Sequence, residues 1–154
     1  MRLTGSTVLL GLFSLIGWFS LSSMADDLST PTGLWQALDS SGRPEGRIRF
    51  YESHGAYFGR IEPSKSGDDS LKRCSRCIDE RKDQPYDSLV IIRNLRFDGN
   101  EYTGGDVLDP DTGRIYGCKM KLIDGGHRMI MRGFFGISLL GRSQTWERVD
   151  TPGP

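Results

Sequence analysis

The feature that most constrains this chain is a run of short alternating segments between Tyr102 and Val149. Strands are predicted at residues 102–108, 114–123, 127–134 and 142–149, with Asp109-Pro110-Asp111-Thr112-Gly113 and Asp124-Gly125-Gly126 as turns between the first three. In the second strand Lys119 and Lys121 alternate with Cys118, Met120 and Leu122. Side chains of a strand point to opposite faces with period two, so the lysines take the wet face and the other three point inward. The glycines of the second turn tolerate the positive φ of a tight hairpin, which pairs this strand antiparallel with 127–134. Strand-turn-strand spacing of this regularity predicts a sandwich or a barrel.

The same grammar holds upstream. Residues 33–38 alternate and stop at the turn formers Asp39-Ser40-Ser41-Gly42-Arg43-Pro44; in 46–52, Ile48 and Phe50 alternate with Arg47, Arg49 and Tyr51. Ser53-His54-Gly55 then turns into 56–62. From Pro63 to Pro85 the pattern is lost in a charged, serine-rich stretch, a length of connection that is uncommon unless functional or stapled. A strand resumes at 87–95, where Leu89-Val90-Ile91-Ile92 is apolar on both faces and is therefore buried twice or meets a partner. Eight strands joined mostly by short turns predict an all-β, up-and-down antiparallel closed barrel, with an open sandwich as the competing architecture. Helix is confined to a turn or two within 64–82 or 135–140.

At the N-terminus Arg2 precedes an uncharged run over 3–25 whose apolar core is 8–19, and Ser23-Met24-Ala25 puts small residues where a signal peptidase reads. This predicts a signal peptide cleaved after Ala25 and export, most simply to a Gram-negative type of periplasm. A retained membrane anchor is the alternative, since a run of that length can just span a bilayer. Residues 26–154 then form one domain with its barrel core at 33–149. Cleavage takes one arginine from 20 basic residues and no acid from 20, leaving a charge near −1. Such neutrality argues against a nucleic-acid surface or a polybasic membrane patch. Three cysteines in an exported chain allow one internal disulfide and one free thiol, and spacing leaves the pairing among Cys74, Cys77 and Cys118 open.

Gly33-Leu34-Trp35 reads as the G-x-W of lipocalin-like (calycin) barrels, which place an arginine of the last strand, here Arg142 or Arg148, against the tryptophan. More specific are 109–119, Asp-Pro-Asp-Thr-Gly-Arg-Ile-Tyr-Gly-Cys-Lys, and 132–149, from Arg132-Gly133-Phe134-Phe135-Gly136 to Gln144-Thr145-Trp146-Glu147-Arg148-Val149. Together they resemble the bacterial exported family known as domain of unknown function 2147, over nearly all of 33–149. The resemblance implies a calycin-like barrel and brings no catalytic residues. Tyr86-Asp87-Ser88-Leu89 departs from it, where a more apolar, glycine-containing run is expected.

Each candidate constellation has a plainer counterpart. Arg142, Gln144, Trp146 and Arg148 share a strand face, so a guanidinium can stack on an indole and close the barrel with Trp35; this closure is structural before it is a ligand contact. The Cys74-Ser75-Arg76-Cys77 motif lies in a loop of a β chain and not at the start of a helix in a βαβ unit, which favours a staple over thiol exchange. Cys74, Cys77, Cys118 and His54 or His127 could make a zinc set, but a disulfide competes in an oxidising compartment. No metal or cofactor is assigned. There is no G-x-S-x-G, H-E-x-x-H or phosphate loop, and the Asp-Pro and Asp-Thr-Gly pairs are turn chemistry, so no catalytic residue is named. The greasy connection 134–141 is expected to fold back as a lid, or else to face a partner or membrane.

These readings converge on a barrel that binds a small apolar or amphipathic ligand. The candidate lining is Ile48, Phe50, Tyr57, Ile61, Cys118, Met120, Leu122, Met129 and Met131, with Tyr116 or Arg132 as a polar handle at a rim. The counterpart is that these residues merely fill the interior. A second hypothesis is an envelope interaction module, with the outer face of 89–92 and the loop 134–140 docking a protein partner or a second copy as a homodimer. Thiol exchange through Cys74 and Cys77 is a third.

Overall fold

The computed structural model describes residues 27–63, 71–137 and 139–149. Eight strands run in chain order: β1 (Gly33–Leu38), β2 (Pro44–Ser53), β3 (Ala56–Ile61), β4 (Val90–Phe97), β5 (Tyr102–Asp109), β6 (Arg114–Ile123), β7 (Arg128–Phe134) and β8 (Gly141–Arg148). Each pairs antiparallel with the next, and β8 returns to β1 through Trp35↔Arg148, Gln36↔Glu147 and Ala37↔Trp146. The sheet is therefore a closed barrel and not a sandwich. Closure leaves no unpaired edge.

The alternation in β6 sets its orientation. Cys118 and Met120 are buried, whereas Lys119 lies outside and donates to Glu101 Oε1 at 2.9 Å. Facing them across the β6–β7 ladder, Met120 pairs with Met131 and Leu122 with Met129. Gly117 permits a close approach on the outer wall, because the ring of Phe134 lies where a Cβ would stand, 2.6 Å away.

Several boundaries differ from the sequence reading. β4 begins at Val90 and not at Asp87: the Leu89 amide bonds back to Tyr86 O, and Ser88 has φ 66°, so this stretch is a turn. At its far end β4 continues to Phe97, because Asn94, at φ 62°, adds a residue without ending the ladder. Between β6 and β7 the chain makes a 3-10 turn, η1 (Asp124–Gly126), which His127 caps, leaving β7 to start at Arg128. The expected N-terminal leader lies outside the described residues.

The two ends of the barrel are built differently. At one, the lead-in 27–32 crosses the opening: Pro31 is fully buried, its carbonyl accepts from Trp35 Nε1 at 2.8 Å, and Leu28 lies against Gly126. The other end carries the β1–β2 and β5–β6 turns, the long β3–β4 connection and the β7–β8 loop. Cys74 and Cys77 form a disulfide that folds the β3–β4 connection, and Cys118 is the free, buried thiol. The folded connection leans on the β5–β6 turn. Tyr86 OH donates to Asp111 Oδ1 at 2.9 Å, and the Arg76 carbonyl would sit 2.0 Å from any Cβ at Gly113, whose φ is 73°. Only glycine fits that contact.

Candidate functional site

The plugged end is sealed by one arginine. The Arg148 guanidinium lies 4.4 Å over the Trp35 ring and donates to Gly126 O, Thr32 O and Thr30 O at 2.8, 2.6 and 2.7 Å. Trp35 is fully buried. Arg142, named beside it from parity, lies near the start of β8 at the opposite end and cannot reach the tryptophan; the five residues between Arg142 and Arg148 span the wall. Trp146 lies between the two ends, pairing with Ala37 and Met129, tilted against Phe50 at 6.3 Å, its Nε1 donating to Gln144 Oε1.

The candidate lining residues divide by depth. Ile48, Phe50, Met120 and Met129 are between 0 and 5% exposed and pack with Trp35, Ile92, Leu95 and Tyr102 in one continuous buried cluster. Tyr57, Ile61 and Leu122 flank that cluster; Tyr57 meets Tyr102 edge-on at 5.2 Å, and burial raises both phenols above their ordinary range. Burial likewise pushes the Cys118 thiol up to about 12, with a smaller push from the Asp106 carboxylate.

Toward the mouth the interior is not filled. A cavity of about 1520 Å³ opens there, with the buried Met131 and Trp146 at its floor and Leu38, Val107, Tyr116, Gln144 and Arg142 on its walls. Of the candidate lining, Met131 and Tyr116 reach it. Arg132 does not: paired with Lys119 on the outer wall, it donates to Ser143 Oγ at 3.0 Å and Leu139 O at 3.3 Å and braces the β7–β8 loop from outside. The charged groups at the mouth are instead Asp39, Glu45, Asp109 and Arg142; the three carboxylates accept hydrogen bonds, whereas Arg142 has no hydrogen-bond or ion-pair partner among the described residues. Its strand parity with Trp146 was legible; which end of β8 it occupied relative to the plug was not.

The β7–β8 loop is not a plug. Phe135, Ile137, Leu139 and Leu140 are 60–85% exposed, and Phe135, Leu139 and Leu140 rim the cavity without crossing it. Nor is 89–92 an outer docking face, since Leu89, Ile91 and Ile92 are buried in the same cluster as the disulfide. Beside it a buried Arg81 donates to Val90 O and to Asp79, and Arg93 bridges Asp79, Glu80 and Asp106. The Arg81 hydrogen bonds hold the Asp79 carboxyl down to about 2. The zinc set is not assembled: Cys74 and Cys77 are bonded to each other at the mouth end, whereas His54 and His127 lie in turns at the plugged end. No cluster of three or more His, Cys, Asp or Glu suited to a metal occurs among the described residues.

A family model described as "Uncharacterized protein conserved in bacteria (DUF2147)" matches residues 33–148, the whole barrel. The chain belongs to this family. A search of solved structures aligns this DUF2147 chain with "Protein HP1028 from the human pathogen Helicobacter pylori belongs to the lipocalin family", at a TM-score of 0.69 and 16% identity, over 79% of this chain and 84% of that one. The likeness is one of fold: an eight-stranded closed antiparallel barrel of lipocalin type. No curated protein matches the chain.

Proposed function

We propose that this DUF2147 protein is an exported binder of a small apolar or amphipathic ligand, held in the open half of its barrel. The observation that carries the reading is a barrel with a packed core and a plug at one end that opens at the other as a cavity of about 1520 Å³. Ligand pockets are concave, mostly apolar, and carry a few placed polar groups. Leu38, Val107, Met131 and Trp146 supply the apolar wall; Tyr116, Gln144 and Arg142, with the carboxylates of Asp39, Glu45 and Asp109, supply the polar groups. An unpaired guanidinium at the mouth suits an acidic headgroup, because a charge-assisted hydrogen bond to a carboxylate is about twice as strong as a neutral one. Methionine at the floor adapts to ligands of differing shape. The uncharged run over 3–25 with its small-residue site supports export, as does a disulfide, which persists in oxidising compartments.

Thiol exchange has less support, since Cys74 and Cys77 are 0 and 2% exposed and exchange needs a thiolate to reach a sulfur. Native mass spectrometry of protein purified without detergent tests the binding reading. The expected result is a bound mass of lipid size that is lost on collisional activation. An empty protein that also takes up no added fatty acid would refute it.

A further inference from the structure

Of the nine large hydrophobic side chains exposed among the described residues, six lie in two connections at the mouth end: Leu71 and Ile78 in β3–β4, and Phe135, Ile137, Leu139 and Leu140 in β7–β8. None lies in a turn at the plugged end. Such one-ended clustering on the rim of a cavity is the mark of an interaction surface and not of scattered surface residues. We infer that the mouth of the barrel docks on a phospholipid bilayer, with the tip of the β7–β8 loop immersed among the acyl chains.

The shape and chemistry of the patch select this occupant. The four β7–β8 side chains stand out from one short loop beside the cavity mouth, and a bilayer needs no matching groove to take them up, because acyl chains close around whatever enters. The loop is braced for insertion: Phe135 N donates to Leu140 O at 3.2 Å, Leu140 N donates to Ile137 O at 3.0 Å, and Arg132 donates to Leu139 O from the wall below. Thus two loop amides and the Leu139 carbonyl enter the membrane already hydrogen-bonded, which lowers the cost of immersion. Among the described residues two unpaired cations flank the apolar tip, whereas the carboxylates of Asp39, Glu45 and Asp109 at the mouth already accept hydrogen bonds. Arg142 stands at the base of the tip, where headgroup phosphates would lie, and Arg76 stands two residues from Ile78 in the other connection. Neither has an ion-pair or hydrogen-bond partner among the described residues, so both are available to phosphate oxygens. Residues 64–70 consist of Ser, Lys, Gly and Asp and carry no apolar side chain.

The proposal rests on the ligand-binding reading for its purpose: an acyl chain leaving the bilayer at this rim would enter the cavity without crossing water, its acidic head passing from headgroup depth to Arg142. The test does not depend on that reading. In the full-length chain, Leu139→Trp places an indole at the tip, and Gln36→Trp places one on the barrel wall as a control. Both are mixed with phosphatidylcholine vesicles carrying brominated acyl chains, and the emission added over the parent protein is followed. Because the reporter is local, membrane attachment through residues 1–25 does not mimic the result. The expected outcome is a blue shift and strong bromine quenching for L139W, with neither for Q36W. Unquenched emission from L139W, equal quenching of both, or a blue shift that grows with protein concentration without vesicles would each overturn it, the last by identifying a second copy as the occupant. Ligand uptake measured separately in detergent-free buffer would survive any of these outcomes, so the two claims fail separately.

Discussion

Trp35 and Arg148 lock the first strand to the last, and each is held by contacts the other cannot replace. Trp35→Ala removes a fully buried indole and the surface on which the guanidinium stacks, which costs about 3–5 kcal/mol as for other buried large-to-small changes. Arg148→Lys keeps the charge but loses the planar fork that reaches three carbonyls, and destabilises by on the order of 2 kcal/mol. Arg142→Ala leaves the melting temperature unchanged and weakens an anionic amphiphile about tenfold, with a neutral analogue unaffected; paired thermal and titration measurements on the three variants check this separation. Cys118 gives a pH signature. Its folded thiol, pushed up from 9.0 to about 12, holds its proton more tightly than the unfolded one. Its contribution to stability is therefore complete below about 9 and is lost as pH rises toward 12. Melting curves of the parent and of Cys118→Ala should converge across that window, and at neutral pH iodoacetamide should label Cys118 only after unfolding.

At the scale of elements, the disulfide and the loops decide what the strands leave open. Joining Cys74 to Cys77 closes a very short ring, worth about 2 kcal/mol in the chain-entropy model. Its larger effect is to fold the β3–β4 connection onto the β5–β6 turn. Reduction should speed hydrogen exchange over residues 71–89 while β6 and β7 stay protected, and Gly113→Ala should do the same with the disulfide intact, through its clash with Arg76 O. The strands themselves were legible because one side of each is buried and the other wet, as in β6, where Lys119 and Lys121 flank Met120. Less legible was β4: Ser88 and Asn94 take positive φ without being glycine, so neither the delayed start nor the added residue leaves a mark in an apolar run. The greasy β7–β8 loop was recognised as unusual, yet its composition could not tell a plug from an exposed rim. That depends on where the loop leaves β7, and Arg132 fixes it from the outer wall.

For the whole molecule, the chain order of the strands puts every long or apolar connection at one end and the lead-in plug at the other, which makes the barrel a cup. The G-x-W and the arginine of the last strand carried that closure in the sequence. The depth of the cup was not written there, because Met120, Met129 and Met131 share type and inward parity and are all buried, yet of the three only Met131 borders the cavity. Their difference is position along the barrel axis, which periodicity does not encode. The central claim is that the open half is a ligand site, and the most direct measurement is titration of a fluorescent fatty acid into the parent protein and into Met131→Trp, whose larger side chain occupies the floor. Saturable one-to-one binding by the parent, lost in the variant while its melting temperature holds, is the predicted result; equal binding by both proteins, or none by the parent, would contradict it.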